Sequence, residues 1–153
     1  MKPQLSDILA ILALIISIGS LFFQREGIRK QLLVANINEY TKRYQEIFQM
    51  FPESILDANF DLNSLSENEQ RKLLRPMWLY FDLCYEEYIL YHELNLIDKK
   101  LWKTWEYSMK SAFKRPSFYQ GWNLILNYSY YPKSFSKFID DYMNESHNTR
   151  RTI

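Results

Sequence analysis

Residues 8–23 read ILAILALIISIGSLFF, a run of sixteen residues without a charged side chain. In an α-helix this run covers about 24 Å, slightly less than the ~30 Å hydrocarbon core of a bilayer. Leu5 and Ser6 lengthen the run to about 28 Å, although Asp7 lies inside it. We therefore predict a transmembrane anchor in residues 1–27.

Two other interpretations of this run stay open. A cleaved signal peptide would have a basic start at Lys2, an apolar core, and small residues such as Ser17 and Gly19 at the cleavage site. Asp7 does not suit such a start, and two phenylalanines extend the run beyond that site, so a retained anchor is favoured. The other alternative is a helix buried in a soluble core.

The charges on either side of the run predict its orientation. Arg25, Arg29 and Lys30 follow it, offset by Glu26, whereas only Lys2 precedes it. The positive-inside rule places the more basic flank in the cytoplasm. We expect a single-pass protein of the inner (cytoplasmic) membrane, with its N-terminus outside and its C-terminal domain in the cytoplasm.

Small and polar residues form a stripe, here called the seam, along the predicted membrane helix. They recur at spacings of 4-3-4-3-4-3, the period of left-handed helix association: Ser6, Ala10, Ala13, Ser17, Ser20, Gln24 and Gly27. Small residues let membrane helices approach closely, and serine hydroxyls can bond across the contact. The seam predicts a homo-oligomer, either a closed bundle or a ring whose polar side chains line an opening. A chance arrangement is the alternative.

The remaining residues also predict helices. Valine occurs once and glycine three times, a composition that suits strands and hairpin turns poorly. Apolar residues continue at spacings of three and four from Leu33 to Phe51, where Pro52 should end the helix. We predict an all-α protein in which one transmembrane helix continues into a cytoplasmic helical bundle, residues 28–143, followed by a flexible tail, residues 144–153.

Local signals place the helices of this bundle. After a connector over residues 52–66, Ser66 and Glu69 form a capping box. Pro76 should kink or break the helix that follows. Asp98 and Ser117 are the expected caps of two further helices, and a last helix follows Pro132.

Overall composition excludes several classes of protein. There are 19 basic against 18 acidic residues, a net charge of +1, so no DNA partner is expected. The only cysteine, Cys84, excludes an intrachain disulfide and a cysteine-based zinc site. Phosphate-loop, Rossmann, zinc-protease and nucleophile-elbow motifs are absent. We predict a non-enzymatic protein with no catalytic residue, cofactor or metal.

The stretch YFDLCYEEYILYHE, residues 80–93, carries the most polar side chains of the predicted core. Asp82, Glu86 and Glu93 form a carboxylate stripe, which we expect to pair with cations on neighbouring helices: Lys99, Lys103, Lys110 and Lys114, or Arg71 and Arg75. A di-iron site would need a Glu-x-x-His pair, which does not occur. His92 lies on an aromatic arc and is expected to be packed rather than a catalytic base, and Cys84 to be an inert core thiol.

Basic residues could instead contact RNA or anionic lipid. Those nearest the membrane or on the third predicted bundle helix are Arg25, Arg29, Lys30, Lys99, Lys103 and Lys110. A solvated helix face is the simpler interpretation of the same charges.

The layout of the chain resembles a known group of proteins. The membrane helix, the arginine-bearing helix after it, and the stretches YFDLCYEEYILYHELNLIDKKLWKTWE (80–106), FYQGW (118–122) and SFSKFID (134–140) resemble a large uncharacterised family of bacterial and phage membrane-anchored helical proteins. This layout is also similar to the small membrane accessory protein of type VI-B CRISPR loci. The resemblance implies a HEPN-like helical domain, a ring-shaped pore in antiviral defence, and a CRISPR effector protein as a partner.

One departure from that group bears on activity. HEPN ribonucleases carry an arginine four to six residues before a histidine, and no arginine precedes His92 or His147 at that distance. This departure argues against RNA cleavage. The resulting hypothesis is a non-enzymatic oligomer that forms a pore or perturbs the membrane. The alternatives are a tethered HEPN-like domain that binds or cleaves RNA, and a scaffold that recruits a soluble partner.

Overall fold

The computed structural model describes residues 4–150, and the side chains of residue 4 and of residues 9–144. Its helices are α1 (Leu5–Gln49), α2 (Glu67–His92), α3 (Lys99–Phe113), α4 (Pro116–Ile125) and α5 (Lys133–Arg150). Two short 3-10 turns, Glu53–Leu56 and Leu62–Ser64, lie between α1 and α2. No strand occurs in the part of the chain that the structure describes, which confirms the predicted all-α class.

The chain divides into two compact units, the first ending at Glu39 and the second beginning at Tyr40. Within the first unit, the described residues belong to α1 apart from Gln4, and none of their described side chains is buried. The second unit contains the last turns of α1 together with α2, α3, α4 and α5. Helix α1 ends at Gln49, just before Phe51 and Pro52, as the sequence predicts.

Helix α2 begins at the predicted capping box. The Ser66 backbone N–H donates to Glu69 Oε2 at 3.0 Å, and the Glu69 N–H donates to Ser66 Oγ at 3.5 Å. Of the kink or break predicted at Pro76, the break does not occur, because α2 continues through the proline to His92. Burial of Met77 and Phe81, both at 0% exposure, outweighs the roughly 3 kcal/mol that an interior proline costs a helix.

Helix α2 is the central helix of the bundle. Its aromatic rings contact rings of the other three helices: Trp102 and Phe113 of α3, Phe118 and Trp122 of α4, and Phe135 of α5. Met109, Ile125 and Ile139 are also buried in this domain. Aromatic rings dominate these contacts, for example Phe81 stacked on Phe113 at 5.9 Å between centroids. Large aromatic side chains bury much apolar area each, so this short domain has a continuous core.

Helices α3 and α4 begin differently. The Asp98 carboxylate accepts from the Leu101 N–H at 2.8 Å, which confirms the predicted cap. The predicted cap at Ser117 is wrong, because Arg115 holds the cap position and Pro116 is the first helical residue. Proline is favoured there because the first helical N–H has no partner inside the helix. The Ser117 hydroxyl, fully buried, instead donates to the Ile55 carbonyl at 2.7 Å.

Side chains of α4 also hold the connector that precedes α2. Arg115 donates to the Leu56 carbonyl at 2.9 Å, and Gln120 Oε1 accepts from the Leu62 N–H at 2.7 Å. Ile55 and Leu62 are buried to 1% and 0% exposure. The connector is therefore part of the packed domain.

Helix α5 extends further than the sequence predicts. It runs to Arg150, so residues 144–150 of the expected tail are helical. Residues 151–153 lie outside the described part of the chain.

Candidate functional sites

Helix α1 contains the apolar run. It is the one helix among the described residues that is long and apolar enough to cross a membrane, with a mean hydropathy of 1.6 over its most apolar window and none of that window buried. A signal sequence would have the same properties. Phe22 and Phe23 are 68% and 83% exposed, and Ile16 is 67% exposed. This surface needs a lipid or protein environment to cover it.

The seam lies on the exposed surface of this helix. Ala10, Ala13, Ser17, Ser20, Gln24 and Gly27 are all exposed, and the side chain of Ser6 lies outside the described residues. The Ser17 hydroxyl donates to the Ala13 carbonyl at 2.8 Å, so its hydrogen is already used within the helix. What the seam offers a neighbouring helix is therefore close approach, together with serine oxygens that can accept a hydrogen bond.

The six candidate basic residues differ in their surroundings. Arg25, Arg29, Lys30, Lys99 and Lys103 are exposed. Lys30 pairs with Glu26 at 3.7 Å. Lys110 pairs with Glu106 at 3.3 Å, and its Nζ lies 4.2 Å from the centroid of the Tyr142 ring. Lys110 is thus engaged within the bundle, which leaves Lys99 and Lys103 as the exposed candidates on α3.

The carboxylate stripe does bind a cation, but not the predicted one. Glu86 accepts two hydrogen bonds from the Arg43 guanidinium of α1, at 2.5 and 2.9 Å. Asp82 accepts from the Tyr131 hydroxyl at 2.6 Å. Among the described residues, Lys99, Lys103 and Lys110 of α3 and Arg71 and Arg75 of α2 form no ion pair with the stripe, so these predicted pairings are wrong.

A cavity of about 230 Å³ lies between α1, α2 and α3. We call it the Glu87 cavity, and its lining residues are Tyr40, Thr41 and Tyr44 of α1, Tyr80, Leu83 and Glu87 of α2, and Thr104, Trp105, Ser108 and Met109 of α3. Aromatic rings and hydroxyl groups provide most of this lining. Glu87 is the one acidic or basic residue of this lining.

Glu87 is 8% exposed, and no hydrogen bond to its carboxyl occurs within the described part of the chain. Burial, followed by the charge of Glu86, raises the pKa of Glu87 from 4.5 to about 8, while Arg43 acts in the opposite direction. Sequence reasoning singled out Glu86 and missed Glu87. The available signal was its spacing from Tyr80 and Cys84, since steps of four and three place all three on one helix face.

The sequence predicts a packed His92 and a buried Cys84; the structure buries Cys84, whereas His92 is exposed and only part of its ring lies against aromatic neighbours. The His92 ring packs against Tyr88, Tyr91 and Trp102, with centroids 4.3, 4.8 and 5.0 Å apart. Burial lowers the pKa of His92, an effect that Glu106 partly opposes. Cys84 is 1% exposed, and burial raises its pKa well above the usual value. Such a thiol is unreactive while the domain is folded.

No group of three or more histidine, cysteine or acidic side chains that could hold a metal ion occurs among the residues described. Comparisons of the chain with protein-family models, with curated proteins and with solved structures found no match.

Proposed function

We propose that this chain is a single-pass protein of the cytoplasmic membrane that forms a homo-oligomer through its membrane helix. The assembly would form a pore or perturb the membrane, without enzymatic activity, and the resemblance in layout alone supports a role in antiviral defence beside a CRISPR effector. The observation that carries the proposal is the uncovered apolar surface of α1.

The size of that surface supports insertion into lipid. Ten large apolar side chains between Leu9 and Phe23 are each at least 45% exposed. At about 1.5–3 kcal/mol for each full burial, covering these partly exposed groups stabilises the protein by on the order of 10 to 20 kcal/mol. Lipid supplies this cover without any further protein contact.

The far end of the same helix belongs to the packed domain. Arg43 of α1 pairs with Glu86, and the Phe48 ring stacks on Phe118 at 6.4 Å between centroids. Cleavage near Gly19 would leave these turns in place. The support for a retained anchor over a signal peptide therefore comes from Asp7 and from the two phenylalanines, Phe22 and Phe23, that lie beyond that site.

The seam supports association between copies of the helix. Its exposed small residues allow two helix backbones to approach closely in lipid, where van der Waals packing drives association. A repeat of 3.5 residues keeps one face turned toward a neighbour along a left-handed supercoil. Polar Ser20 and Gln24 lie on this face, and in a large ring they would line the opening.

The test is the mass of the full-length protein in detergent, measured by light scattering with detergent correction. We expect a discrete assembly of several subunits, and a smaller species for the Ala13→Leu, Ser17→Leu double variant. The matched control, Ile11→Phe with Ile15→Phe, adds bulk to the opposite helix face and should leave the mass unchanged. An unchanged mass in the seam variant would refute the seam, and a monomeric wild-type protein would refute the oligomer. A subunit mass equal to that of a chain cleaved near Gly19 would identify a signal peptide.

RNA binding is a second candidate function, favoured by the exposed Lys99 and Lys103 on α3. Phosphate contacts by lysine make affinity fall steeply with salt. A Lys99→Glu, Lys103→Glu variant with undiminished RNA affinity would rule out this site. Recruitment of a soluble partner by the domain is the remaining alternative.

A further inference from the structure

We propose that the Glu87 cavity binds a small organic monocation of the alkylammonium class, with the Glu87 carboxylate as its counter-ion and the rings of Tyr40, Tyr44 and Trp105 as its walls. Neither membrane insertion nor association of α1 requires such a site. The proposal therefore goes beyond the function argued above.

The size of the cavity limits the ligand. Its volume of about 230 Å³ is below the roughly 300–1,000 Å³ typical of pockets for drug-sized molecules. A cation with a few carbon atoms is the corresponding size. Three helices contribute to the walls, and the Tyr40 and Trp105 rings contact each other between α1 and α3, with centroids 5.5 Å apart and ring planes tilted by 43°.

The lining favours a cation over an anion or a neutral molecule. Glu87 is 8% exposed, and its carboxyl has no hydrogen-bond partner among the described residues, so a cation in the cavity would meet a carboxylate that no other side chain already satisfies. Aromatic faces attract cations, and the exposed Tyr44, Thr104 and Ser108 of the lining leave the cavity open to a ligand from solvent. The hydroxyls of Thr104 and Ser108 already donate to the Lys100 and Thr104 carbonyls of their own helix, at 3.3 Å each, so toward the cavity they offer accepting oxygens.

Neighbouring charges leave room for one positive charge. Arg43 of α1 and Glu86 of α2 neutralise each other in a two-bond ion pair, and neither lines the cavity. The Arg43 guanidinium carbon lies 5.6 Å from the centroid of the Tyr40 ring, which leaves Tyr44 and Trp105 as the rings without a cation of the protein over them among the described residues. The other titratable groups near Glu87 are Tyr40 and Tyr44 of α1 and Tyr80 and Cys84 of α2, and the pKa of each is raised, so all four are neutral at physiological pH. From α3 the cavity is lined only by Thr104, Trp105, Ser108 and Met109. A bound cation would thus be balanced by ionised Glu87 alone.

Binding should consequently release the Glu87 proton. Tetramethylammonium keeps its charge at every pH, which makes it the appropriate probe. With a pKa of about 8 for Glu87, the fraction of ionised sites falls by roughly 30-fold from pH 9 to pH 6.5. The apparent Kd should rise by the same factor.

The experiment is calorimetric titration of tetramethylammonium chloride into the full-length protein in dodecyl maltoside, with sodium chloride holding the ionic strength constant. Phosphocholine and amine-oxide detergents are unsuitable because their headgroups belong to the ligand class. We expect saturable binding at pH 9, about 30-fold weaker binding at pH 6.5, and no heat beyond dilution from additional sodium chloride. Absence of binding at pH 9, or a Kd that does not change with pH, would overturn the proposal.

Three comparisons identify the site. Glu87→Gln keeps the shape of the side chain and should abolish the pH dependence and weaken binding at least 10-fold, whereas Glu46→Gln, at an exposed carboxylate of α1, should change neither. Trp105→Leu should weaken binding by roughly 2- to 30-fold through loss of the cation–π contact. The neutral molecule tert-butanol should not compete. Full affinity in Glu87→Gln with an unchanged melting temperature, or equal binding of tert-butanol, would refute the carboxylate as counter-ion.

Discussion

Raising the pH from 5 to 9 should destabilise the helical domain through one side chain, Glu87. Its carboxyl has a pKa of about 8 in the folded domain, against 4.5 when it is hydrated. The unfolded chain therefore loses this proton at lower pH than the folded one. The contribution of Glu87 to folding is most favourable below pH 4.5, falls as the pH rises toward 8, and stays constant once both states are ionised.

The two pKa values set the size of this effect. From pH 5 to pH 7 the free energy of unfolding should fall by about 2.5 kcal/mol, and from pH 5 to pH 9 by about 4 kcal/mol. These are upper values, because water that enters the cavity would hydrate the carboxylate and lower its pKa. A loss of this size is a large part of the roughly 5–15 kcal/mol by which a domain is stable.

Urea unfolding of the full-length protein in maltoside micelles, followed by far-UV circular dichroism, would measure the effect at pH 5, 7 and 9. Other groups also titrate in this range, so the informative quantity is the difference between the wild type and Glu87→Gln. That difference should grow in favour of the variant as the pH rises. The corresponding difference between the wild type and Glu46→Gln should not change with pH. If the free energy of unfolding changes with pH by the same amount in the wild type and in Glu87→Gln, the assignment of a buried, neutral carboxyl is refuted.

Three further predictions concern packing and the ion pair. Gly121→Ala should lower the melting temperature, because the added methyl would overlap the sulfur of fully buried Met77; such overpacking costs about 1–3 kcal/mol, against the ~1 kcal/mol that alanine gains in a helix. Met77→Ala relieves the overlap but leaves a cavity, so the double variant should lose less stability than the sum of the two single variants, and strictly additive losses would refute the overlap. Cys84 should resist iodoacetamide at pH 8, as measured by intact mass, until denaturant is added. Arg43→Lys should lower the free energy of unfolding in urea by about 0.5–1 kcal/mol, because lysine cannot form both bonds to Glu86. The loss is small because the pair is partly exposed and solvent screens it. An unchanged urea midpoint would show that the two-bond geometry contributes nothing.

Features determined by a few neighbouring residues could be predicted from the sequence. The Ser66 and Asp98 caps and the α-helical class belong to this group, because a cap needs only a side-chain acceptor and an N–H two or three residues later. Ser117 was misassigned for a related reason: Pro116 meets the steric requirement of the first helical position and displaces the cap by two residues.

Features that depend on distant residues could not be predicted in the same way. Arg43 and Glu86 are 43 positions apart, and nothing in a single sequence distinguishes this arginine from Arg71 as the partner of Glu86. The Glu87 cavity depends on the packing of three helices. Only the helical spacing of Glu87 from Tyr80 and Cys84 was visible beforehand, and that spacing predicts burial without indicating a cavity.

The attachment of the connector to α4 has a consequence during synthesis. Ile55, whose carbonyl accepts from Ser117, is made 62 residues before its partner. At about 5–20 residues per second, the ribosome needs roughly 3 to 12 s to add the intervening chain. Throughout that interval the apolar side chains of Ile55 and Leu62 have no α4 to cover them, although α1 has already been made. Nascent chains stalled before Arg115 should therefore be cut by protease within the connector, and chains released after α4 should be resistant.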